Sequence, residues 1–111
     1  MREKYLTLGP TREEVDHISG AAVLEFGTDW CGYCRAAESI VQQALGEHPG
    51  ILHMKVEDGP GRRLGRSFQI KLWPTLIFVK DGKELARAVR PTSVDELRRC
   101  MQVLLDASTS S

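Results

Sequence analysis

The fold is decided by the stretch AAVLEFGTDWCGYC, which spans residues 21–34. Its first part, Ala21–Phe26, is a short apolar run of the kind found in a buried central strand. Its last part places Cys31 and Cys34 two residues apart, just beyond the end of that strand. Apolar residues then recur at helical spacing: Ala37, Ile40, Val41, Ala44 and Leu45. The stretch therefore predicts a strand, a cysteine pair and a helix of roughly four turns.

The cysteine pair is predicted to lie at the first turn of this helix, where both sulfurs can meet. Unpaired N–H groups and the helix dipole stabilise negative charge at that end, so we expect Cys31 to be the attacking thiolate. Cys34 lies further into the helix, and we expect it to be less exposed. In disulfide exchange, Cys31 would form a mixed disulfide with the substrate, and Cys34 would resolve it.

A cysteine pair alone could also bind zinc, or it could lie at a helix start by chance. Zinc at Cys31 and Cys34 would lack two convincing ligands, because the histidines show no metal-site spacing to one another or to the cysteines. These histidines, which we interpret as structural, are His17, His48 and His53. We therefore expect no metal site. Cys100 is interpreted as a buried small hydrophobe, with a regulatory thiol as the alternative.

Around this stretch, the chain alternates between strand and helix patterns. The predicted strands cover 5–8, 21–26, 51–56, 75–79 and 84–89, and helices are predicted after Thr11, after Cys31, over 62–68 and after Ser93. Asp81 and Gly82 supply a two-residue hairpin turn, so the last two strands should pair antiparallel. The order β-α-β-α-β-α-β-β-α indicates an α/β fold, in which helices cover both faces of a central mixed sheet.

Length and composition set the remaining limits. With 111 residues, 41% of them hydrophobic, the chain should form one domain over residues 1–106, followed by a disordered tail over 107–111. Fifteen basic residues balance fifteen acidic ones, and the basic cluster over 62–71 lacks interleaved aromatics, so we expect no nucleic-acid partner.

Membrane and export signals are also missing from the sequence pattern. The charged N-terminus leads into no apolar run of a secretory signal, and no segment reaches the ~18 apolar residues of a membrane span. Three cysteines, two of them close together, fit a reducing compartment. We expect a cytoplasmic protein without a membrane partner.

Further motifs beside the cysteines give the chain a family resemblance. The strand at 22–26 followed by Asp29–Cys34 resembles the active-site segment of the thioredoxin family, and Trp73-Pro74-Thr75 resembles its cis-proline segment. The likeness runs over roughly residues 12 to 106. It implies a thioredoxin fold and a protein-disulfide oxidoreductase without a cofactor other than a redox-active Cys31–Cys34 disulfide. It also implies protein substrates with disulfides, a thioredoxin reductase or other dithiol donor as partner, and a monomer.

The resemblance also implies roles for individual residues. Pro74 should be cis and pack beside the cysteines, and the backbone before it should pair with an extended substrate. The substrate-binding residues would be Trp30, Gly32, Tyr33, Trp73, Pro74 and Thr75. Glu25 stands where the family usually has a buried aspartate that moves a proton to or from the buried cysteine. We expect Glu25 to act as a general acid or base, unless its longer side chain reaches solvent instead.

Two positions depart from the family pattern. Tyr33 replaces the proline of the most familiar motif, and Arg90 stands where thioredoxins commonly carry a glycine on the substrate-facing rim. The first change should alter the balance between dithiol and disulfide, and the second should alter which partners dock. We expect the chain to reduce disulfides in proteins, although these two positions leave oxidation or isomerisation open. The alternative hypothesis is a binding or assembly module in which redox turnover is secondary.

Overall fold

The apolar run before the cysteines forms the strand that positions the whole site. The computed structural model describes residues 4–109, in which this strand is β1 and the helix after it is α2. The elements are α1 (Arg12–Asp16), β1 (Ala21–Gly27), α2 (Gly32–Gly46), β2 (Leu52–Glu57), α3 (Arg63–Ser67), β3 (Thr75–Lys80), β4 (Lys83–Val89) and α4 (Val94–Thr109). Within residues 4–109, no helix is both long and apolar enough to cross a membrane.

The four strands form one mixed sheet in the order β2-β1-β3-β4. β1 runs parallel to β2, as expected for strands joined through a helix, and antiparallel to β3. The hairpin predicted at Asp81 and Gly82 joins β3 to β4 in an antiparallel pair. The predicted mixed sheet is therefore confirmed, and β1 and β3 are its two central strands.

Helices cover both faces of the sheet. Alternation along β1 directs Leu24 and Phe26 towards α1 and α3, whereas Val23 and Glu25 point to the face covered by α2 and α4. Both faces are packed with side chains that water does not reach. Glu25 is thus placed inside the protein beside the helix that carries the cysteines.

The prediction at the N-terminal end of the chain is corrected. The strand predicted over residues 5–8 is reduced to a single bridge, in which Leu6 pairs with Val56 of β2. Gly9 and Pro10 follow at once, and proline has no N–H with which to continue a ladder. At the other end, α4 continues to Thr109, and the domain bounds 1–106 with a tail over 107–111 stay a prediction. Ser110 and Ser111 lie outside the described residues.

Candidate active site

The two cysteines lie where β1 gives way to α2. Cys31 is the N-cap residue of α2, and its Sγ accepts a hydrogen bond of 3.2 Å from the backbone N–H of Cys34. Both thiols are free, with 7% of Cys31 and 4% of Cys34 exposed. A sulfur in this position receives a donor from the helix end that best stabilises negative charge. The predicted placement of the pair at the first helical turn is confirmed.

Cys34 is the more buried thiol and the one whose proton is harder to remove. Burial raises the pKa of Cys34 to about 12, and its hydrogen bond with Cys31 acts in the same direction. At neutral pH, Cys34 is therefore a thiol in the reduced protein. It becomes a nucleophile only when another group accepts its proton.

Glu25 is buried in β1 and does not reach solvent. Only 2% of the residue is exposed, so the alternative of a side chain extended to water is excluded. Its Oε2 accepts a hydrogen bond of 2.9 Å from the hydroxyl of Tyr5, and its Oε1 lies 2.9 Å from Nε2 of His53. Lys55, also buried, stands opposite Glu25 in the parallel register of β1 and β2. Glu25 is thus hydrogen-bonded through both carboxylate oxygens.

Tyr5 and His53 are functional candidates that the sequence motifs did not reveal. Tyr5 belonged to a predicted short strand over residues 5–8, and His53 was interpreted as structural. No sequence pattern marked His53, because its place near Glu25 depends on the register in which β1 pairs with β2, which puts residues 53 and 55 beside 23 and 25. No pattern marked Tyr5, whose hydroxyl reaches Glu25 from 20 residues away in sequence.

Aromatic side chains surround the opening above Cys31. Trp30 and Tyr33 are 72% and 60% exposed, with the exposed Gly32 between them in sequence. The ring of Trp30 meets that of Trp73 edge to face, with centroids 5.7 Å apart. The indole N–H of Trp73 donates to Asp58 at 2.9 Å, and the residue packs against the cysteine cluster. The structure therefore brings the predicted rim residues of the two segments together.

The segment after Trp73 also has the predicted form. The Trp73–Pro74 peptide bond is cis, and Pro74 is buried. Thr75 is 1% exposed, and its hydroxyl donates to the carbonyl of Leu72 at 2.6 Å. The side chain of Thr75 is thus used within the loop.

Arg90 covers one side of this rim. Its backbone has a φ of 47°, in the left-handed region that favours glycine, and its N–H donates to the carbonyl of Pro74 at 2.8 Å. Its Nε donates to the carbonyl of Trp73 at 2.8 Å, and its guanidinium carbon lies 3.8 Å from the centre of the Tyr33 ring. The two departures from the family pattern are therefore in direct contact.

The comparisons with known proteins agree with this geometry. The sequence profile of the Thioredoxin family matches residues 6–103. The chain belongs to the thioredoxin family. It is 32% identical to a thioredoxin of Chlamydia trachomatis serovar D over 71% of this chain and 78% of that protein. It is 30% identical to an H-type thioredoxin of Picea mariana over 90% of this chain and 78% of that protein.

A solved structure supports the same assignment. Thioredoxin 2 from Pseudomonas aeruginosa PAO1, in its reduced form, is similar with a TM-score of 0.86 and 48% identity, and the match covers 96% of this chain and 99% of that one. As a member of the thioredoxin family, the chain is a thiol-disulfide oxidoreductase that acts on disulfides of proteins. Its redox-active group is the dithiol of Cys31 and Cys34. Among residues 4–109, no cluster of three or more histidine, cysteine or acidic side chains could hold a metal.

Proposed function

We propose that the chain works as a reductant of protein disulfides, recharged by a thioredoxin reductase or another dithiol donor. The division of the pair supports this proposal: Cys31 Sγ lies at the helix start, while Cys34 stays protonated beneath it. Cys31 can attack the substrate, while Cys34 remains protonated and unreactive until the mixed disulfide has formed. A cytoplasmic location belongs to the same proposal, since a reductant works where a donor keeps thiols reduced. The proposal also includes a monomeric state.

The equilibrium potential of the Cys31/Cys34 couple tests the direction of the reaction. We expect about −270 mV, the range of thioredoxin, when the protein is equilibrated with glutathione buffers and the thiols are counted by alkylation and mass spectrometry. A potential of about −180 mV or higher lies in the range of an isomerase or an oxidant and would contradict the proposal. The Cys31→Ser variant provides the baseline, because it cannot form the intramolecular disulfide.

The rim around Cys31 is proposed to hold the substrate. Trp30, Gly32 and Tyr33 present an exposed surface above the nucleophile, and aromatic rings supply contact area at low entropic cost. The backbone of Trp73 and Pro74 would pair with an extended substrate segment. Thr75 would contribute by fixing that loop, since its hydroxyl is already bonded to Leu72.

Arg90 is proposed to restrict which substrates dock at this rim. Its guanidinium already bonds the carbonyl of Trp73, which an extended substrate would also approach. A substrate must therefore share that carbonyl with Arg90 or displace the side chain. Because Arg90 places a positive charge over Tyr33, a substrate with an acidic residue near its disulfide gains an attraction that a basic one lacks.

An Arg90→Gly variant should lose this preference. We expect the unmodified protein to reduce a peptide disulfide flanked by aspartate about threefold faster than one flanked by lysine at low salt, as for one exposed ion pair. In Arg90→Gly, the ratio should fall to about one, and the stability should not decrease, because glycine suits the left-handed backbone. The ratio of kcat/KM for the two peptides is the measurement. An unchanged ratio in the variant would rule out a role for Arg90 in substrate choice.

A further inference from the structure

A chain of hydrogen bonds leads from the resolving cysteine to the edge of the sheet. The hydroxyl of Tyr5 donates to Oε2 of Glu25 at 2.9 Å, and it lies next to the sulfur of Cys34 in the space beside Gly27. The other oxygen of Glu25 lies 2.9 Å from Nε2 of His53. Four side chains from four segments of the chain thus lie in a row, and the family resemblance gives a role only to Cys34 and Glu25.

The N-terminal segment is fixed so that Tyr5 reaches this position. The N–H of Leu6 donates to the carbonyl of Lys55 at 2.7 Å, and the N–H of Tyr5 donates to Asp29 at 3.1 Å. The Tyr5 ring is 6% exposed, with Nζ of Lys55 4.5 Å from its centre. The hydroxyl group is therefore held at the site from both the backbone and the ring.

Gly27 provides the space in which sulfur and hydroxyl meet. A Cβ atom at this position would lie 2.5 Å from Sγ of Cys34 and 2.7 Å from the hydroxyl of Tyr5. Any larger residue would push the two groups apart, because real Cβ contacts are never so short. The absence of a side chain at the end of β1 is thus what lets Tyr5 contact the thiol.

We propose that Tyr5 passes the proton of Cys34 to Glu25 in the resolving step, and that His53 links Glu25 to solvent. In the mixed disulfide, where Cys31 is no longer a free thiol, the S–H of Cys34 donates to the Tyr5 oxygen while the Tyr5 O–H donates to the Glu25 carboxylate. When both protons shift, Cys34 becomes a thiolate that accepts from Tyr5, and Glu25 becomes a carboxylic acid. Tyr5 is neutral before and after the transfer.

The thiolate then completes the exchange. Cys34 attacks the sulfur of Cys31 in the mixed disulfide, a Cys31–Cys34 bond forms, and the bond between Cys31 and the substrate sulfur breaks. The electron pair leaves with the substrate sulfur, which takes a proton from water. The substrate is reduced and the cysteine pair is oxidised, and the proton of Cys34 remains on Glu25 until solvent removes it.

The acidities of the two hydrogen-bond donors explain why a relay is useful. Burial, the largest cause of the raised pKa of Cys34, also acts in the mixed disulfide, so the thiolate needed for the resolving step is a minor species at pH 7. Burial, followed by the charge of Glu25, raises the pKa of Tyr5 well above its usual range. Tyr5 therefore does not hold a negative charge itself and can only exchange one proton for another.

His53 gives the buried carboxylate a route to water. Its side chain is 24% exposed and lines, together with Glu25, a cavity of about 400 Å³ beside β2 and α2. The two ring nitrogens of histidine can donate and accept protons, so the side chain can pass a proton between a buried group and water. Other charged groups that face the relay are Lys55 from β2, Glu38 and Arg35 from α2, and Asp29 from the loop after β1.

The Tyr5→Phe variant tests the relay, since it removes the hydroxyl and keeps the ring. Reduced protein is mixed in a stopped-flow instrument with 5,5′-dithiobis(2-nitrobenzoate), which releases one coloured thiolate when Cys31 attacks and a second when Cys34 resolves. We expect the second release to slow at least about tenfold at pH 7, the lower end of general acid–base effects. The first release should stay within about twofold, because Tyr5 plays no part in it. A second release at the unmodified rate would overturn the proposal.

Two further measurements distinguish a relay from a purely structural role of Tyr5. They are the coupling between Tyr5 and Glu25 and the pH dependence of the second release. If Tyr5 and Glu25 act in one relay, Tyr5→Phe combined with Glu25→Gln should be no slower in the second release than the slower single variant. In Tyr5→Phe, the rate of that release should rise about tenfold per pH unit between about pH 6 and 9, as for a thiol that only hydroxide deprotonates, and the unmodified protein should be less steep. Effects that multiply in the double variant, or an unchanged slope, would show that Tyr5 acts through packing and would overturn the proposal.

The contribution of His53 to the relay is tested by comparing its glutamine variant with the same substitution at His17. His53→Gln should slow the second release and change its pH profile, because Glu25 then loses its exchangeable partner. His17→Gln is the matched control, since His17 is exposed at the end of α1, where its Nδ1 lies 2.8 Å from the carbonyl oxygen of Glu13. Equal rates and profiles for the two variants would remove His53 from the relay.

Discussion

Replacement of Cys31 by serine is expected to reduce the rate of protein-disulfide reduction to the uncatalysed background. A serine hydroxyl is not ionised near neutral pH and does not attack disulfides, so the first step of the exchange is lost. The fold should be retained, because Cys31 is the N-cap of α2 and serine is among the preferred residues there. Turbidity of reduced insulin, followed with dithiothreitol as donor, measures the rate.

The control for this variant is Cys100→Ser. Cys100 is a half-buried thiol on α4. It packs against the hydrophobic cluster between the sheet and helices α2 and α4, away from the rim around Cys31. We expect Cys100→Ser to keep its activity and its pattern of disulfide exchange. If Cys31→Ser retained more than about a tenth of the activity while Cys100→Ser lost it, Cys31 would not be the nucleophile.

Phe78→Ala is expected to cost 3–5 kcal/mol of the free energy of unfolding, roughly the effect of removing a buried phenylalanine elsewhere. Phe78 has no exposed surface and lies in the middle of β3, opposite Val23 of β1 and Ala86 of β4. Its ring packs in the cluster that joins the sheet to α2 and α4. Since domains have about 5–15 kcal/mol of stability in total, this loss brings the chain near its limit.

Urea unfolding followed by circular dichroism checks this prediction. Leu85→Ala is the control on the neighbouring strand, because Leu85 is 38% exposed and its truncation should change the stability by only about 0.5 kcal/mol. A loss below about 1.5 kcal/mol for Phe78→Ala would mean that this side of the sheet is not packed as described. The activity of the folded fraction should not change, since Phe78 is not part of the rim.

Local patterns predicted the elements that form the active site. The apolar run of β1 and the 3.6-residue period of α2 are strong signals, and together they place the cysteines at a helix start. The helix caps were also predicted from spacing: Thr11 and Glu14 form the expected capping box, and Ser93 accepts from the N–H of Glu96. These features depend on contacts within a few residues, which a single sequence reveals.

Contacts between distant segments were not predictable in the same way. The order of the four strands and the register of β1 against β2 decide that His53 lies beside Glu25, and neither follows from hydrophobic spacing. Tyr5 reaches the site because the N-terminal segment adds a single bridge to β2. The carboxylate of Glu25 was thus predicted from the family resemblance, but its partners were not.

The contact between Tyr33 and Arg90 at the rim was also not predictable from the sequence. Tyr33 and Arg90 were recognised separately as departures from the family pattern, one between the cysteines and one beyond β4. Their contact, at 3.8 Å between guanidinium carbon and ring centre, appears only when the cis-proline loop brings the two segments together. The left-handed backbone of Arg90 explains why glycine is common at this position.

The most direct test of the central claim is to map the mixed disulfide that Cys34→Ser accumulates with a protein substrate. Removal of the resolving thiol blocks the second step, so the covalent complex should persist and should vanish on addition of dithiothreitol. Mass spectrometry of the digested complex should locate the substrate on Cys31. An adduct on Cys100, or binding of the substrate without any covalent complex, would contradict dithiol exchange at this site and would favour a binding module instead.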